Sequence, residues 1–486
     1  MPPVTTTVTL TERSAIDLAR AIREGETTSR EVVEAHLAVL RATHARVNAV
    51  AADRYDAALA DADAADGRVA AARETGTLDE LPPLLGVPCT IKEAIELAGM
   101  PNCAGLVSRR THRSERSAPA AQRLLDAGAI PVGVTNTSEL CMWIESHNHV
   151  YGRTRNAYDP TRTAGGSSGG EGAAVGTGGS PFGLGSDVGG SIRLPAFFNG
   201  VFGLKPSPGV VPNTGQFPVT HGEAARLLTM GPLARRAEDL MPLLRLIAGP
   251  DGEDTHARAV PLGDPADVAI QGLDVVVTQD TSAWPLRRDL REARDRAAAA
   301  LQAAGANVRE VSLKPLRRAL DPYITALQQG AGVTFGDSLG EGVTVRRAMA
   351  GAFRGRGPHT IASVLLLASE RASVLVPAAA TRRSIALGER LSEQVQETMG
   401  DGVLLHPPFG RVAPRHGRTV GKPWSIHHAA LFNFLGLPVA QVPLGLNAEG
   451  LPLGVQVAAT RDQDHVAVAV ALELERAFGG WVPPGR

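Results

Sequence analysis

Cysteine is almost missing from this chain: three residues, Cys89, Cys103 and Cys141, in 486. They form no CxxC pair and no Cys/His cluster, so a disulfide scaffold or a structural zinc site is excluded. A reducing cytoplasm is the expected compartment. Net charge is missing too. Forty-nine basic residues balance 50 acidic ones, leaving −1 at pH 7, so no field draws the chain to nucleic acid or to an anionic membrane surface. No apolar run reaches the ~18 residues of a membrane span. The longest candidate, Ser363 to Ala380, is broken by Glu370, Arg371 and Pro377. Met1 to Leu10 lacks the basic-then-apolar order of a signal peptide. Lysine is the scarcest cation, with only Lys92, Lys205, Lys314 and Lys422. Each lysine therefore carries slightly more weight than usual.

What is present is an ordinary globular composition, 43% hydrophobic and 20% charged. The length suits several average domains or one large α/β domain. Glycine is in surplus at 53 residues, above the ~7% of average chains. With no Gly-X-Y period, the excess means tight turns and close backbone approaches. The first 80 residues read as a helical segment, with Thr28 and Glu31 in a capping-box pattern before Val32, Val33, His36, Leu37 and Leu40. Ala51 to Glu74 reads as an Ala-rich surface helix. From residue 81 onward strand and helix alternate. Gly86–Ile91 is a strand and Ala118–Asp126 a helix stopped by Gly128. Ala129–Val134 and Leu273–Thr278 are strands, Leu286–Ala304 a helix closed by Gly305, and Asn307–Leu313 a strand. That order predicts parallel strand pairs with helices on the faces. Thr161 to Gly215 is Gly/Ser/Pro-rich but studded with Phe182, Leu184, Val188, Ile192, Leu194, Phe197 and Phe198. Flexible linkers are polar, so this stretch reads as a buried, turn-rich centre. Residues 1–80 are expected to pack on a unit formed by 81–486.

Four features within that plan bear chemistry: Lys92 in GVPCTIKEAI, Ser167-Ser168 in GGSSGGEG, Ser191 in GSDVGGSIR, and the Asp187/Arg193 pair around it. Alone, GGSSGG serves equally well as a turn. Its GxSxG string lacks the strand–turn–helix context of a hydrolase elbow, since more glycine follows. No phosphate loop is completed. Together the four are informative. Gly189 and Gly190 before Ser191 let consecutive backbone N–H groups converge on one point, as an oxyanion hole requires. A serine needs a base. Lys92 lies among Cys89, Thr90, Ile91, Ala94 and Ile95; burial there would disfavour its ammonium and leave a neutral amine.

In PLLGVPCTIKEAIELAGMPN from Pro83, AGAIPVGVTNTSELCMW from Ala127, AGGSSGGEGA from Ala164, GLGSDVGGSIRLPAFFNGVFGLKPSPGVVPN from Gly183, FLGLPVAQVPLGLNAEGLPLGVQV from Phe434 and AFGGWVPP from Ala477, the chain resembles the amidase signature family of serine hydrolases. It is particularly similar to the fatty acid amide hydrolase branch of the second type. The resemblance implies one large α/β domain with a twisted mixed sheet of about ten strands and helices on both faces. It implies a triad of Lys92 as base, Ser167 as bridge and Ser191 as nucleophile, with a cis Gly166–Ser167 bond. It places oxyanion donors on Val188, Gly189, Gly190 and Ser191, and supporting roles on Ser168, Asp187 and Arg193. Cys141, Met142 and Ile144 fall where that family lines its acyl pocket. The expected activity is hydrolysis of a lipophilic or aryl carboxylic amide, with fatty acid amides among the candidates, through an acyl-enzyme. The alternative is an A-type subunit of a glutamine-dependent amidotransferase, working with partner chains and tRNA. Neutral charge, Glu171 after SSGG and the C-terminal stretch stand against it. No cofactor is called for. His147 and His149 lack a carboxylate–histidine pattern, so no metal is expected. His427 and His428 read as a loop or helix start. A small-molecule amide is the expected partner, with a homodimer left open. The variable stretch from Gly330 to Ala413 carries no readable signal.

Overall fold

Short, mostly apolar runs assemble into one large sheet. The computed structural model describes residues 9–220, 222–282, 285–329, 334–340, 342–353, 357–373 and 376–485. Its strands are β1 (Val50–Asp53), β2 (Pro88–Lys92), β3 (Ile130–Thr135), β4 (His147–Asn148), β5 (Gly152–Arg153), β6 (Phe182–Asp187), β7 (Phe202–Lys205), β8 (Thr229–Ala234), β9 (Asp274–Val277), β10 (Asn307–Glu310), β11 (Val403–His406), β12 (Val439–Leu446) and β13 (Pro452–Ala459). Eleven of them form the order β1-β3-β2-β6-β8-β7-β12-β13-β11-β9-β10, while β4 and β5 pair alone. The sheet is mixed. β2 runs parallel to β3 and β6, and β9 parallel to β10 and β11; the other neighbours are antiparallel.

Both faces are covered, and the strands show it by alternation. Val403 and Leu405 of β11, Val275 and Val277 of β9 and Val457 of β13 enter one apolar cluster. There they meet Leu290, Ala297 and Leu301 of the helix Arg288–Ala303 and Val470 and Leu474 of the helix Asp464–Phe478. Their neighbours Leu404, Val276 and Ala458 enter another. That second cluster holds Leu391 and Val395 of the helix Ala378–Met399 and Leu431 and Phe432 of the helix His427–Leu435.

The N-terminal helices Ala15–Glu24 and Ser29–Val47 send Leu18, Ile22, Val32 and Leu37 into the first cluster. Thr28 caps the second of them as the sequence predicts: its hydroxyl accepts from Glu31 N–H at 3.1 Å, and Glu31 Oε2 accepts from Thr28 N–H at 2.9 Å. The expected helix over Ala51–Glu74 is corrected at its start. Val50–Asp53 is an edge strand paired with β3, and the helix is Tyr55–Thr75. The alanines there satisfy either conformation, and the free edge of β3 decides between them. The expected strand Asn307–Leu313 pairs only over its first four residues. The stretch that carried no signal in the sequence folds largely as helices, among them Val345–Phe353, Ile361–Ser373 and Ala378–Met399. No helix among the described residues is long and apolar enough to cross a membrane.

Candidate active site

The parallel neighbours β2 and β6 end side by side, and a ligand crevice is expected beyond the carboxyl ends of such strands. Lys92 is the last residue of β2 and Asp187 the last of β6. Between these strands in sequence, the glycine-rich turn delivers Ser167 and Ser168 to the start of the helix Gly169–Gly176. The next turn delivers Ser191 to the start of the helix Arg193–Phe198. Two helix entries and two strand ends thus meet at one place. The bond Gly166–Ser167 is cis. A Cβ on Gly166 would lie 2.5 Å from Trp143 O, so that position has no room for a side chain.

Lys92 is completely buried. Its Nζ donates to Ser167 Oγ at 2.6 Å and to Ser186 Oγ at 2.9 Å. Burial pushes its pKa below the ordinary lysine value, against the raising influence of Cys141, Asp187 and Glu171. Ser146 Oγ fixes the bridging residue, donating to Ser167 O at 2.9 Å and accepting from Gly169 N–H at 2.9 Å. Ser168 Oγ bonds the main chain of Ser186, donating to its carbonyl at 3.2 Å. Ser191 keeps 9% exposure, enough for its hydroxyl to face a substrate. Its carbonyl accepts from Ser168 N–H at 3.2 Å, so the two serine turns are laced together through main chain. Its hydroxyl makes no hydrogen bond to Ser167 in this structure.

Asp187 shapes the turn that carries Ser191. Its Oδ1 accepts from Gly190 N–H at 2.7 Å and its Oδ2 from Ile192 N–H at 3.0 Å. Arg193 meets both oxygens, through Nε and Nη2, at 3.0 Å each. The pair is fully buried. Arg193 is further held by Gln456 Oε1 at 2.7 Å, Ala429 O at 2.9 Å and Asn433 Oδ1 at 2.5 Å. Burial raises the Asp187 carboxyl pKa, but the Arg193 charge and the Asn433 amide, which donates to Oδ1 at 2.9 Å, outweigh it and hold the group well below the usual carboxylate range. One expectation changes here. The Gly190 N–H points at Asp187 rather than into the cleft, because the carboxylate at the strand end is the nearer acceptor. The N–H groups of Val188, Gly189 and Ser191 have no partner among the described residues.

A family profile described as "Amidase" matches residues 31–468. The chain belongs to the amidase family. It is similar to fatty-acid amide hydrolase 2-B of Danio rerio, 43% identical over 498 residues covering 100% of this chain and 93% of that protein. It is also similar to the A-type subunit of glutamyl-tRNA(Gln) amidotransferase from Deinococcus radiodurans, 32% identical over 95% of this chain and 97% of that one. Among solved structures it resembles 6-aminohexanoate cyclic dimer hydrolase, with a TM-score of 0.78, 25% identity, and 96% and 97% of the two chains covered. The amidase is accordingly a hydrolase of carbon–nitrogen bonds in linear amides, built on the mixed sheet described above.

The remaining sequence candidates of this amidase separate. Cys141 is half-buried beside Lys92, with its thiol 3.4 Å from Thr137 Oγ1. Met142 packs against an apolar cluster of Leu106, Leu140, Leu339, Ala348, Val364 and Leu367. Ile144 instead enters the main core. The helices Val345–Phe353 and Ile361–Ser373 supply Ala348, Val364 and Leu367 to that cluster. Glu139 ties down the start of the second of them, accepting from His359 Nδ1 at 2.8 Å, Thr360 N–H at 2.8 Å and Ser363 Oγ at 2.7 Å. His147 and His149 meet edge to face at 5.8 Å. Among the described residues no group of three or more His, Cys, Asp or Glu is arranged to hold a metal ion. His427 and His428 do open a helix, packed with His406. Of the four lysines, Lys205 is also buried, but among the described residues its amine bonds only the carbonyl of Pro206, at 2.8 Å. Sequence reading passes over Ser186, Ser146 and Asn433. Ser186 lies inside the GSDVGGSIR string, next to the strand-ending Asp187, and that place is the signal available for it. Ser146 and Asn433 are brought in from distant segments with no local mark.

Proposed function

We propose that the chain hydrolyses lipophilic or aryl carboxylic amides through a Ser-Ser-Lys relay and an acyl-enzyme. The observation that carries this reading is the fully buried Lys92 amine at 2.6 Å from Ser167 Oγ. A lysine deprived of water favours its neutral form, and a neutral amine can accept the Ser167 proton. Ser167 then takes the proton of Ser191 after a rotation of the Ser191 hydroxyl toward it, since such bonds tighten only with substrate in place. Ser191 Oγ forms a bond to the amide carbonyl carbon. The resulting oxyanion is received by the N–H groups of Val188, Gly189 and Ser191, whereas Gly190 N–H shapes the loop through Asp187. The proton returns through Ser167 to the leaving nitrogen as the C–N bond breaks. Water then hydrolyses the ester.

The apolar cluster around Met142 supports an aliphatic or aromatic acyl group on that side of the site. Fatty-acid amide hydrolase 2-B of Danio rerio, the more similar of the two relatives, is in accord with it. A panel of acyl p-nitroanilides and fatty acid primary amides of graded chain length tests the substrate class. The expected result is kcat/KM rising with acyl length beyond acetyl. Rates peaking at acetyl and vanishing by octanoyl would contradict it. Ammonia release from glutamine, with no turnover of the panel, would favour the amidotransferase reading instead.

A further inference from the structure

Glu171 is a buried carboxyl beside the relay that plays no part in it so far. It sits in the first turn of the helix Gly169–Gly176 and is wholly enclosed. Each of its oxygens is met by one hydroxyl: Thr90 Oγ1 donates to Oε2 at 2.5 Å, and Thr135 Oγ1 donates to Oε1 at 2.6 Å. Thr90 lies two residues before Lys92 on β2, so the two side chains share a face of the sheet. Thr135 is the residue registered against Lys92 across the parallel β2–β3 pair. The carboxyl is thus strung along the same face of the sheet from which the lysine rises. The place is made for it: a Cβ on Gly183, in the adjoining strand β6, would overlap Glu171 Oε2. A buried charge without opposite charge is expensive, and Lys92 and Glu171 each feel the other electrostatically.

We propose that Glu171 is a positioning residue for the base, a countercharge whose protonation sets whether Lys92 carries its own proton. This rests on the reading of Lys92 as the base of the relay. The pair can hold one proton in two ways. Either Lys92 is an ammonium and Glu171 a carboxylate, or Lys92 is a neutral amine and Glu171 a carboxylic acid. The two forms have the same net charge, so the buried pair can hold the base neutral without leaving a lone anion beneath it. Burial pushes the Glu171 carboxyl up to about 7, against the lowering influence of Thr135, Thr90 and Lys92, which puts its titration in the working range. The other titratable groups facing the pair are Cys89 on β2, beside Glu171, and Cys141 and Asp187, beside Lys92. In such a pair the proton losses belong to both groups together.

The test is Glu171→Gln, which keeps the shape and can bond both threonines but carries no charge. The readout is the pH dependence of the rate at which an alkyl fluorophosphonate inactivates the enzyme. Removing the carboxylate lowers the affinity of Lys92 for its proton, so the acid limb is expected to move to lower pH by about 1 unit. A limb that stays in place or moves upward overturns the proposal, because a carboxyl that merely braced the threonines would leave the profile where it is. Thr135→Val keeps Glu171 and takes away one donor, making the carboxyl easier to protonate. It is expected to shift the limb the same way by less, and it carries the test if the Gln variant does not fold. Lys92→Met, assayed in parallel, separates the two claims. If it is labelled as fast as the wild type, the relay itself is wrong. If it is inert while the limb is unmoved in the Glu171 and Thr135 variants, only the role of Glu171 is lost.

Discussion

Ser191→Ala and Lys92→Met each lower kcat/KM on the best amide of the panel by a factor on the order of 10⁴ or more, with the fold intact. The nucleophile and its base act as a unit, so the double variant should cost little more than either single one. What remains is the contribution of the loop N–H groups and of binding, which need neither side chain. The two substitutions spare stability for different reasons. Ser191 is small and sits at the cleft, so its loss is nearly silent. Lys92 is buried with hydroxyl partners but no carboxylate among its hydrogen bonds. Burial already favours the neutral amine, so an apolar chain of similar length fills the space with no large charge penalty. Lys92→Met is therefore expected to unfold close to the wild-type temperature while being inactive, a combination that general damage to the fold would not produce. The active form of Lys92 is the neutral one, so wild-type kcat/KM should rise with pH as the amine loses its proton. That rise should occur below the ordinary lysine range, in keeping with the direction set by burial. Steady-state kinetics over pH, with circular dichroism melts of each variant, check all three statements. Wild-type turnover by a folded Lys92→Met enzyme would remove Lys92 from the mechanism.

Asp187→Ala is expected to be the most destabilising single change near the site. It strands a fully buried Arg193 and frees the Gly190 and Ile192 N–H groups. Breaking one partner of a buried pair typically costs about 3–5 kcal/mol, mostly as the penalty of the charge left behind. The coupling has a signature. Arg193→Met alone should also be costly, because Asp187 would keep its charge without its main partner. The double variant Asp187→Ala/Arg193→Met should be less damaged than the sum of the two. Urea unfolding of the four proteins measures this, and strict additivity would contradict the pair as the organiser of the turn. The pH dependence follows from the depressed carboxyl. Its folded pKa lies below its unfolded one, so its contribution is fully present above the ordinary Asp range. It is lost only as the pH falls through the folded value. Any loss of activity near neutral pH therefore has another origin, such as the lysine. Asp187→Ala should also lower kcat in whatever folded fraction remains, since the N–H groups aimed at the oxyanion sit on the turn it holds.

The sheet and its covering helices are legible because their signals are local. The capping box at Thr28, the glycine after Asp126 and the apolar runs of β2, β3 and β9 each report on a few neighbouring residues. Val50–Asp53 escapes for the same reason: nothing within that segment distinguishes an edge strand from the start of an alanine-rich helix, and the pairing partner lies far along the chain. At the site, Lys92, the double serine and Ser191 stand out because their chemistry and their glycines lie in the same short strings. The direction of the Gly190 N–H could not be read, since it depends on the reach of Asp187 in three dimensions. The seat of Glu171 is hidden more deeply. It is formed by two threonine hydroxyls on separate strands and by the missing side chain of Gly183, and no single segment displays that complementarity. Met142 and Ile144, two residues apart, go to different clusters because the turn after Leu140 and Cys141, both at positive φ, redirects the chain.

The central claim is that a dehydrated lysine, acting through Ser167, makes Ser191 a nucleophile. Reaction with an alkyl fluorophosphonate followed by peptide mapping tests it most directly. The predicted result is one modified residue, Ser191, in the wild type and none in Lys92→Met over the same time. Modification elsewhere, or equal labelling of Ser191→Ala, would contradict it.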